Sequence, residues 1–502
     1  NLMKVLGGVF GIGLKRNVLQ LYQFLCMNYE PGDKIYLFGF SRGAFTVRVL
    51  AGFFLKMGLL DKQEAGSLAE AKKRFRQYRY GFKHGYLYKA LCWLRGVRKP
   101  PEIDHGIEIE FIGVWDTVDA YGLPLDELRD IWSLLIFPLR FSDKSLNEHV
   151  KRACHAISVD DERKTFHPVL WNERYEKELF DKKVAAFESS GETETERPYK
   201  PRITQVWFAG VHSDVGGGYP ENNLAAVPLN WMMDQVAADK QAPGKLESQL
   251  TPDDGLIFIE QRRKLYQKHA DWQGKQHDSR SGLASYYRYS PRDMETLCRG
   301  NPEDVHIERP KIHRSVIERI RRGSVPYAPA GFPKVFDVVE NTKEKPLGNE
   351  TSLMKDKDLP QGVLHSDFEP ARSVSFLRKI VYYSFLALSL AFVISPLLPD
   401  VDTATAGLCN GIACYADPLL KGITALLPDF LAPWLEVLRQ NGSIFGWFVI
   451  TLPAFFLAAK SLKKLQDHLA TQGWAAVKGL PSPGRSKTAN ALIPLTWLRQ
   501  KT

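Results

Sequence analysis

Gly32 to Phe54 reads GDKIYLFGFSRGAFTVRVLAGFF, and this stretch decides the fold. Lys34 to Phe40 (KIYLFGF) is a short apolar, aromatic-rich run, the pattern of a buried parallel strand. Glu30-Pro31-Gly32-Asp33 ahead of it is a turn signal, and Ala44 to Leu55 behind it is apolar with helix-compatible residues. Between them, Gly39-Phe40-Ser41-Arg42-Gly43 fits G-x-S-x-G. A sharp strand-to-helix turn with this pattern lifts the serine hydroxyl out of the sheet. Glycine is expected at 39 and 43 because a side chain at either would meet the neighbouring strand or helix. The helix start also brings the backbone N–H of Arg42 beside Ser41, as a donor for a developing oxyanion. The pattern alone is common, and a capping serine in a Gly-lined turn is its bland reading. The strand before it and the helix after it make Ser41 a candidate nucleophile.

Working outward, Asn17 to Tyr29 carries Leu19, Tyr22, Phe24, Leu25 and Cys26 at the spacing of an amphipathic helix. A second strand is expected at Ile107 to Val114, ending on Trp115-Asp116-Thr117. A third is expected at Ile203 to Val211, ending on His212 ahead of Gly216-Gly217-Gly218. Strands separated by long helical stretches predict an α/β fold, a mostly parallel hydrolase-like sheet with helices on both faces.

A serine hydroxyl needs a base, and the base needs an orienting acid. On such a fold the order is Ser, Asp or Glu, His. Asp116 and His212 both end strands on the edge that carries Ser41, which makes them the first candidates for acid and base. Asp119 and Asp214 are the runner-up acids; Asp214 is close to His212 in sequence and better suited to orienting the loop. His84 and His269 read as surface residues. His155 and His167 flank Asp160, Asp161 and Glu162 but without a recognised ligand spacing, so no metal is expected. Gly8-x-x-Gly11-x-Gly13 has the wrong spacing for a dinucleotide site, and no cofactor is expected.

The chain has 502 residues, 44% hydrophobic and 25% charged, a globular composition with room for several cores. Its first residue is Asn1, as in a processed chain or a fragment. Six cysteines in this length make no disulfide framework; Cys26, Cys92, Cys154 and Cys298 read as reduced core residues. The net charge of +10 suits either a phosphate-bearing partner or simple solvation. A cap-like insertion at about 61–104 interleaves basic and aromatic residues. Within it Arg74, Phe75, Arg76, Tyr78, Arg79 and Tyr80 are candidates for facing membrane or substrate. A helical arm packed on the core is the competing reading. Nucleic acid would use the same residues, but the C-terminal sequence favours lipid and no nucleic-acid partner is expected.

The expected domains are 1–341 for the catalytic unit, 342–371 for a linker rich in charge, Pro and Gly, and 372–502 for a membrane-associated helical region. In the last, 380–399 and 443–459 hold no charged residue and form a candidate transmembrane hairpin. Basic flanks at Arg378, Lys379, Lys460, Lys463 and Lys464, with an acidic intervening loop, put the catalytic unit on the cytoplasmic side. Secretion into a target cell is the alternative location. Cys409 and Cys414 could pair if that loop meets an oxidising compartment.

FIGVWDTVDAYGLP (from Phe111), ACHAISVDDERKTFHPVLW (from Ala153) and VWFAGVHSDVGGGYPENNLAAVPLNWM (from Val206) follow the opening stretch in order. YYRYSPRDM, IHRSVIERI and YAPAGFP come after them. Together these segments resemble the α/β-hydrolase family that includes phospholipase effectors of bacterial type VI secretion. The resemblance spans roughly residues 5 to 340. It implies Ser41 as nucleophile, His212 as base and Asp116 as acid, membrane phospholipids as substrate, and an immunity protein and a secretion-apparatus component as partners. The family opens with a strand and an Asp-Gly-Thr-type turn ahead of the Gly7-Gly8 segment. This sequence begins without that strand, and the second oxyanion donor is expected in such an early loop. The rival expectation is a membrane-anchored interaction or toxin module whose hydrolase fold does no chemistry.

Overall fold

The computed structural model describes residues 12–80, 105–119, 145–178, 202–238, 264–299, 305–333, 335–339, 368–394 and 442–474, with isolated positions at 94, 181, 182, 185 and 434. The chain divides into two compact units, Asn1–Leu364 with Ala476–Leu480, and His365–Ala475 with Pro481–Thr502.

Among its described residues the first unit is built on six parallel strands in chain order. Helix α1 (Ile12–Asn28) leads into strand β1 (Ile35–Phe40), then α2 (Arg42–Met57) and α3 (Leu68–Tyr80). β2 (Ile109–Trp115), β3 (Ala153–Ser158) and β4 (Ile203–Phe208) follow, then a short helix α4 (His212–Gly216) and α5 (Ala226–Ala238). A one-turn helix α6 (Met294–Cys298), β5 (Lys311–His313), α7 (Arg314–Arg322) and β6 (Asp337–Val339) complete it. Register brings the carboxyl ends together: Phe40 pairs with Trp115, Trp115 with Ala156, and Ser158 with Phe208.

Side-chain alternation along the strands separates two cores. Ile35, Leu37, Ile109, Ile112 and Val114 join Val18, Tyr22, Phe45, Val49 and Phe53 of α1 and α2 on one face. Phe111, Cys154, Ala156, Val206 and Phe208 meet Val227, Trp231, Met232 and Val236, largely from α5, on the other. Helices therefore cover both faces, as the sequence predicts, and the apolar continuity of the strands follows from that double burial.

The sequence-based strand count needs correction. β3 lies between the second and third expected strands, so the His212-bearing strand is two positions away from the Asp116-bearing one. The polar 250–345 region supplies β5 and β6 as well. β4 ends at Phe208, and His212 opens α4 instead of closing the strand.

The basic-aromatic segment also reads differently in three dimensions. Phe75 and Tyr78 are buried, Phe75 completely, with Phe75 edge-on to Phe53 at 5.1 Å and Tyr78 at 5.4 Å from the same ring. Arg74 donates to the carbonyls of Met57 (3.0 Å) and Leu59 (3.3 Å). These three hold α3 to the core and do not face a membrane; Arg76 is exposed. Arg79 and Tyr80 end the helix, and 81–93 and 95–104 lie outside the described residues.

In the second unit, α8 (Glu369–Ile394) and α9 (Gly442–Gly473) pair antiparallel. Arg378 Nη1 donates to Gln466 Oε1 at 2.7 Å, Gln466 Nε2 donates to Ser375 Oγ at 2.9 Å, and Phe385 meets Phe455 further along. Among the described residues one helix, α8, is long and apolar enough to cross a membrane; its best window has a mean hydropathy of 1.6 and is 6% buried. The expected pair of spanning helices is thus reduced to one such helix and a packed partner. The expected linker and both Cys409 and Cys414 fall largely or wholly outside the described residues.

Candidate active site

The turn from β1 into α2 forces Ser41 to φ 58° and ψ −127°, a conformation costly for a residue with a side chain. Its amide still donates to the Trp115 carbonyl at 3.0 Å, so the β1–β2 ladder runs to the turn itself. A Cβ on Gly39 would sit 2.7 Å from the backbone nitrogen of Ala44 and the carbonyl oxygen of Gly43. Gly39 is therefore obligatory. Gly43 is not: a Cβ there meets nothing within 4 Å, which corrects the expectation of two steric glycines.

Asp116 directly follows β2 with φ 38°, its amide donating to the Ala156 carbonyl at 2.7 Å. His212 Nδ1 lies 2.5 Å from Asp116 Oδ2, and His212 Nε2 lies 2.7 Å from Ser41 Oγ. Serine, imidazole and carboxylate form one continuous hydrogen-bonded chain. The His212 ring sits between Phe40, 4.6 Å away, and Phe166, edge-on at 4.9 Å. Its amide donates to Asp161 Oδ2 at 3.2 Å. Of the three acids considered, it is Asp116 that faces the imidazole. Asp214 instead ties the loop, accepting from the Val211 amide at 3.0 Å and meeting His277 Nδ1 at 2.6 Å.

Asp116 is fully buried, which by itself favours the neutral acid. The Arg292 guanidinium and the bond to His212 overcome that and hold the carboxyl far below the usual range. Arg292 Nη1 donates to Oδ1 and Nη2 to Oδ2, each at 2.7 Å, and the Ser158 amide adds a bond to Oδ1 at 3.0 Å. Sequence reasoning assigned no role to Arg292, which lies 176 residues beyond Asp116 with nothing local to link them.

His155 is also missed. Buried on β3, it accepts from the Thr117 amide through Nε2 at 3.0 Å and reaches Gln205 Oε1 through Nδ1 at 3.3 Å. Burial drops its pKa to about 3, so it stays neutral and braces the turn that carries Asp116. His167 contacts the Ser290 carbonyl at 2.9 Å. Among the described residues no cluster of His, Cys, Asp or Glu is arranged to hold a metal ion. Cys26, Cys154 and Cys298 are buried.

Residues 1–235 match the family described as "T6SS, Phospholipase effector Tle1-like, catalytic domain". This segment belongs to that family. It contains Ser41, Asp116 and His212, whereas Arg292 lies beyond it. The chain is also 29% identical over 223 residues to the uncharacterized protein YEL023C of Saccharomyces cerevisiae, covering 42% of this chain and 31% of that one. It thus spans less than a third of the relative's length. An uncharacterized protein of known crystal structure from Pseudomonas aeruginosa aligns at 16% identity over 85% of this chain and 45% of its own, with a TM-score of 0.24, too low to relate the folds.

Proposed function

We propose that the chain is a serine-dependent carboxylic-ester hydrolase acting on membrane phospholipids, a phospholipase of the type VI secretion effector class. The observation that carries this is the unbroken chain from Ser41 Oγ through His212 to Asp116. The family of residues 1–235 supports the lipid substrate.

Ser41 Oγ attacks the ester carbonyl carbon while His212 Nε2 takes its proton, and Asp116 holds the imidazole by Nδ1. The Arg42 amide, at the start of α2, is the oxyanion donor in this reading. Collapse of the tetrahedral intermediate breaks the acyl C–O bond, and the imidazolium returns its proton to the departing alcohol. Water then attacks the acyl-enzyme, His212 accepting its proton, and the fatty acid leaves with Ser41 restored.

Delivery to the substrate is assigned to the second unit. Ile380, Tyr383, Leu390, Val393 and Ile394 of α8, with Ile450, Phe456 and Leu457 of α9, are exposed hydrophobics that suit contact with acyl chains. α8 is the membrane-crossing candidate. An immunity protein and a component of the secretion apparatus are the partners this class requires.

The test is fluorophosphonate labelling of the full chain, followed by product analysis on vesicles of mixed phospholipids. Wild type should label and release fatty acid, and Ser41→Ala should do neither while a distant serine variant does both. Folded wild type that neither labels nor releases fatty acid would leave only a non-catalytic interaction module.

A further inference from the structure

Arg292 makes four side-chain hydrogen bonds around one carboxylate. Besides its two bonds to Asp116, Nη1 donates to the Ser158 carbonyl at 2.5 Å and Nη2 donates to the Phe166 carbonyl. Both partners of the ion pair are fully buried. The loop that carries Arg292 is pinned on either side: the Ser290 amide donates to Glu162 at 2.8 Å, and the Met294 amide to Gly331 at 2.9 Å. Gly331 is required there, because a Cβ would fall 2.1 Å from the Arg292 carbonyl oxygen.

We propose that Arg292 is a positioning residue that locks Asp116 in one orientation and, by neutralising it, fixes the pH range in which His212 can act as a base. The proposal rests on the hydrolase reading above. A lone buried carboxylate beside an imidazole stabilises the protonated ring strongly. A carboxylate already bonded at both oxygens by a guanidinium keeps its hydrogen bond to Nδ1 but offers the imidazolium far less net charge. Loss of the guanidinium would leave the full carboxylate charge uncompensated beside the imidazole.

Other charged groups face the same centre and frame the effect. Asp160, Asp161, Arg163 and Lys164 follow β3, His155 lies on it, His167 closes the adjoining turn, and Asp214 sits on α4. Arg163 is bonded to Asp161 at 2.7 Å, and His155 and His167 are held neutral by burial. Arg292 is the cation bonded to Asp116 itself.

The pH dependence of kcat/KM on a soluble short-chain p-nitrophenyl ester, with the full chain, tests this. Arg292→Met should lower kcat by roughly 10- to 100-fold and move the acid limb up by about one pH unit. Arg292→Lys keeps the charge but not the planar fork, so kcat should fall while the limb stays at the wild-type pH. A folded Arg292→Met with an unmoved limb, or a Lys variant whose limb moves as far, overturns the proposal. Should Arg292→Met fail to fold, the Lys variant decides alone, because unchanged kcat there overturns it too. Wild type without esterase activity would defeat the hydrolase reading itself, a separate and recognisable failure.

Discussion

Ser41 and Asp116 are the two non-glycine residues with positive φ among those described, and each directly follows a strand at the same edge of the sheet. Each unusual backbone is held by neighbours: the Ser41 amide bonds Trp115, and the Asp116 amide bonds Ala156. Strain of about 1–3 kcal/mol per residue is tolerable only under such restraint. Gly39 and Gly43 part company at this scale. Gly39→Ala should lower stability by roughly 2 kcal/mol or more and disable fluorophosphonate labelling, since backbone atoms of Ala44 and Gly43 cannot retreat. Gly43→Ala, with open space around its Cβ, should leave the unfolding free energy from urea denaturation within about 0.5 kcal/mol of wild type. Equal losses from the two substitutions would contradict the steric account. The serine and its flanking glycine were legible because the strand-to-helix turn is encoded locally. Arg292 and His155 were not, because their roles consist of contacts to residues 38 to 176 positions away.

At the scale of elements, β3 was the blind spot. Its sequence ACHAIS is short, small and mixed, with a histidine and a serine inside. All six residues are nonetheless buried, because β2 and β4 flank it and helices cover the faces. Propensity carries little of that information; tertiary enclosure supplies it. The loop that leaves β3 has a titratable element of its own. Asp160 accepts from the Gly210 amide at 2.7 Å and from Tyr327 Oη at 2.8 Å, and burial pushes its carboxyl up to about 7. A folded-state value above the unfolded one means the stability is complete below about pH 4 and is lost as pH rises toward 7. Asp160→Asn should therefore match wild type near pH 4 in urea denaturation. By pH 8 it should be more stable by roughly 1–2 kcal/mol, after allowance for partial exposure of the site. Parallel stability curves from pH 5 to 8 would exclude Asp160 as the source. Phe75 and Tyr78 carry a further lesson of this scale. The rings that suggested a lipid-facing surface are those that bind α3 to Phe53.

For the whole molecule, two units divide the work in the proposed reading: chemistry in the first, membrane contact in the second. The polar clamp of Arg378, Gln466 and Ser375 lies toward one end of the α8–α9 pair, and Phe385 with Phe455 lies along its apolar stretch. That gradient suits a pair with the clamp near the headgroups and the aromatic contact in hydrocarbon. Leu390→Asp combined with Phe456→Asp, both at exposed positions, should cut flotation with phospholipid vesicles by roughly 10-fold or more. Fluorophosphonate labelling in detergent should be unaffected. Unchanged flotation would remove the second unit from membrane binding.

The amino-acid sequence by itself determined the strand-to-helix turn at Ser41, the order of Ser41, Asp116 and His212 along the chain, the α/β class and the change to an apolar C-terminal region, because each is written in residues adjacent or periodic in the chain. Tertiary structure alone decided that Asp116 is the carboxylate bonded to His212, that Arg292 pairs with it, and that α3 packs inward. The reason is physical. A strand end can be inferred from local pattern, but the charge and burial of a side chain depend on what distant segments bring against it.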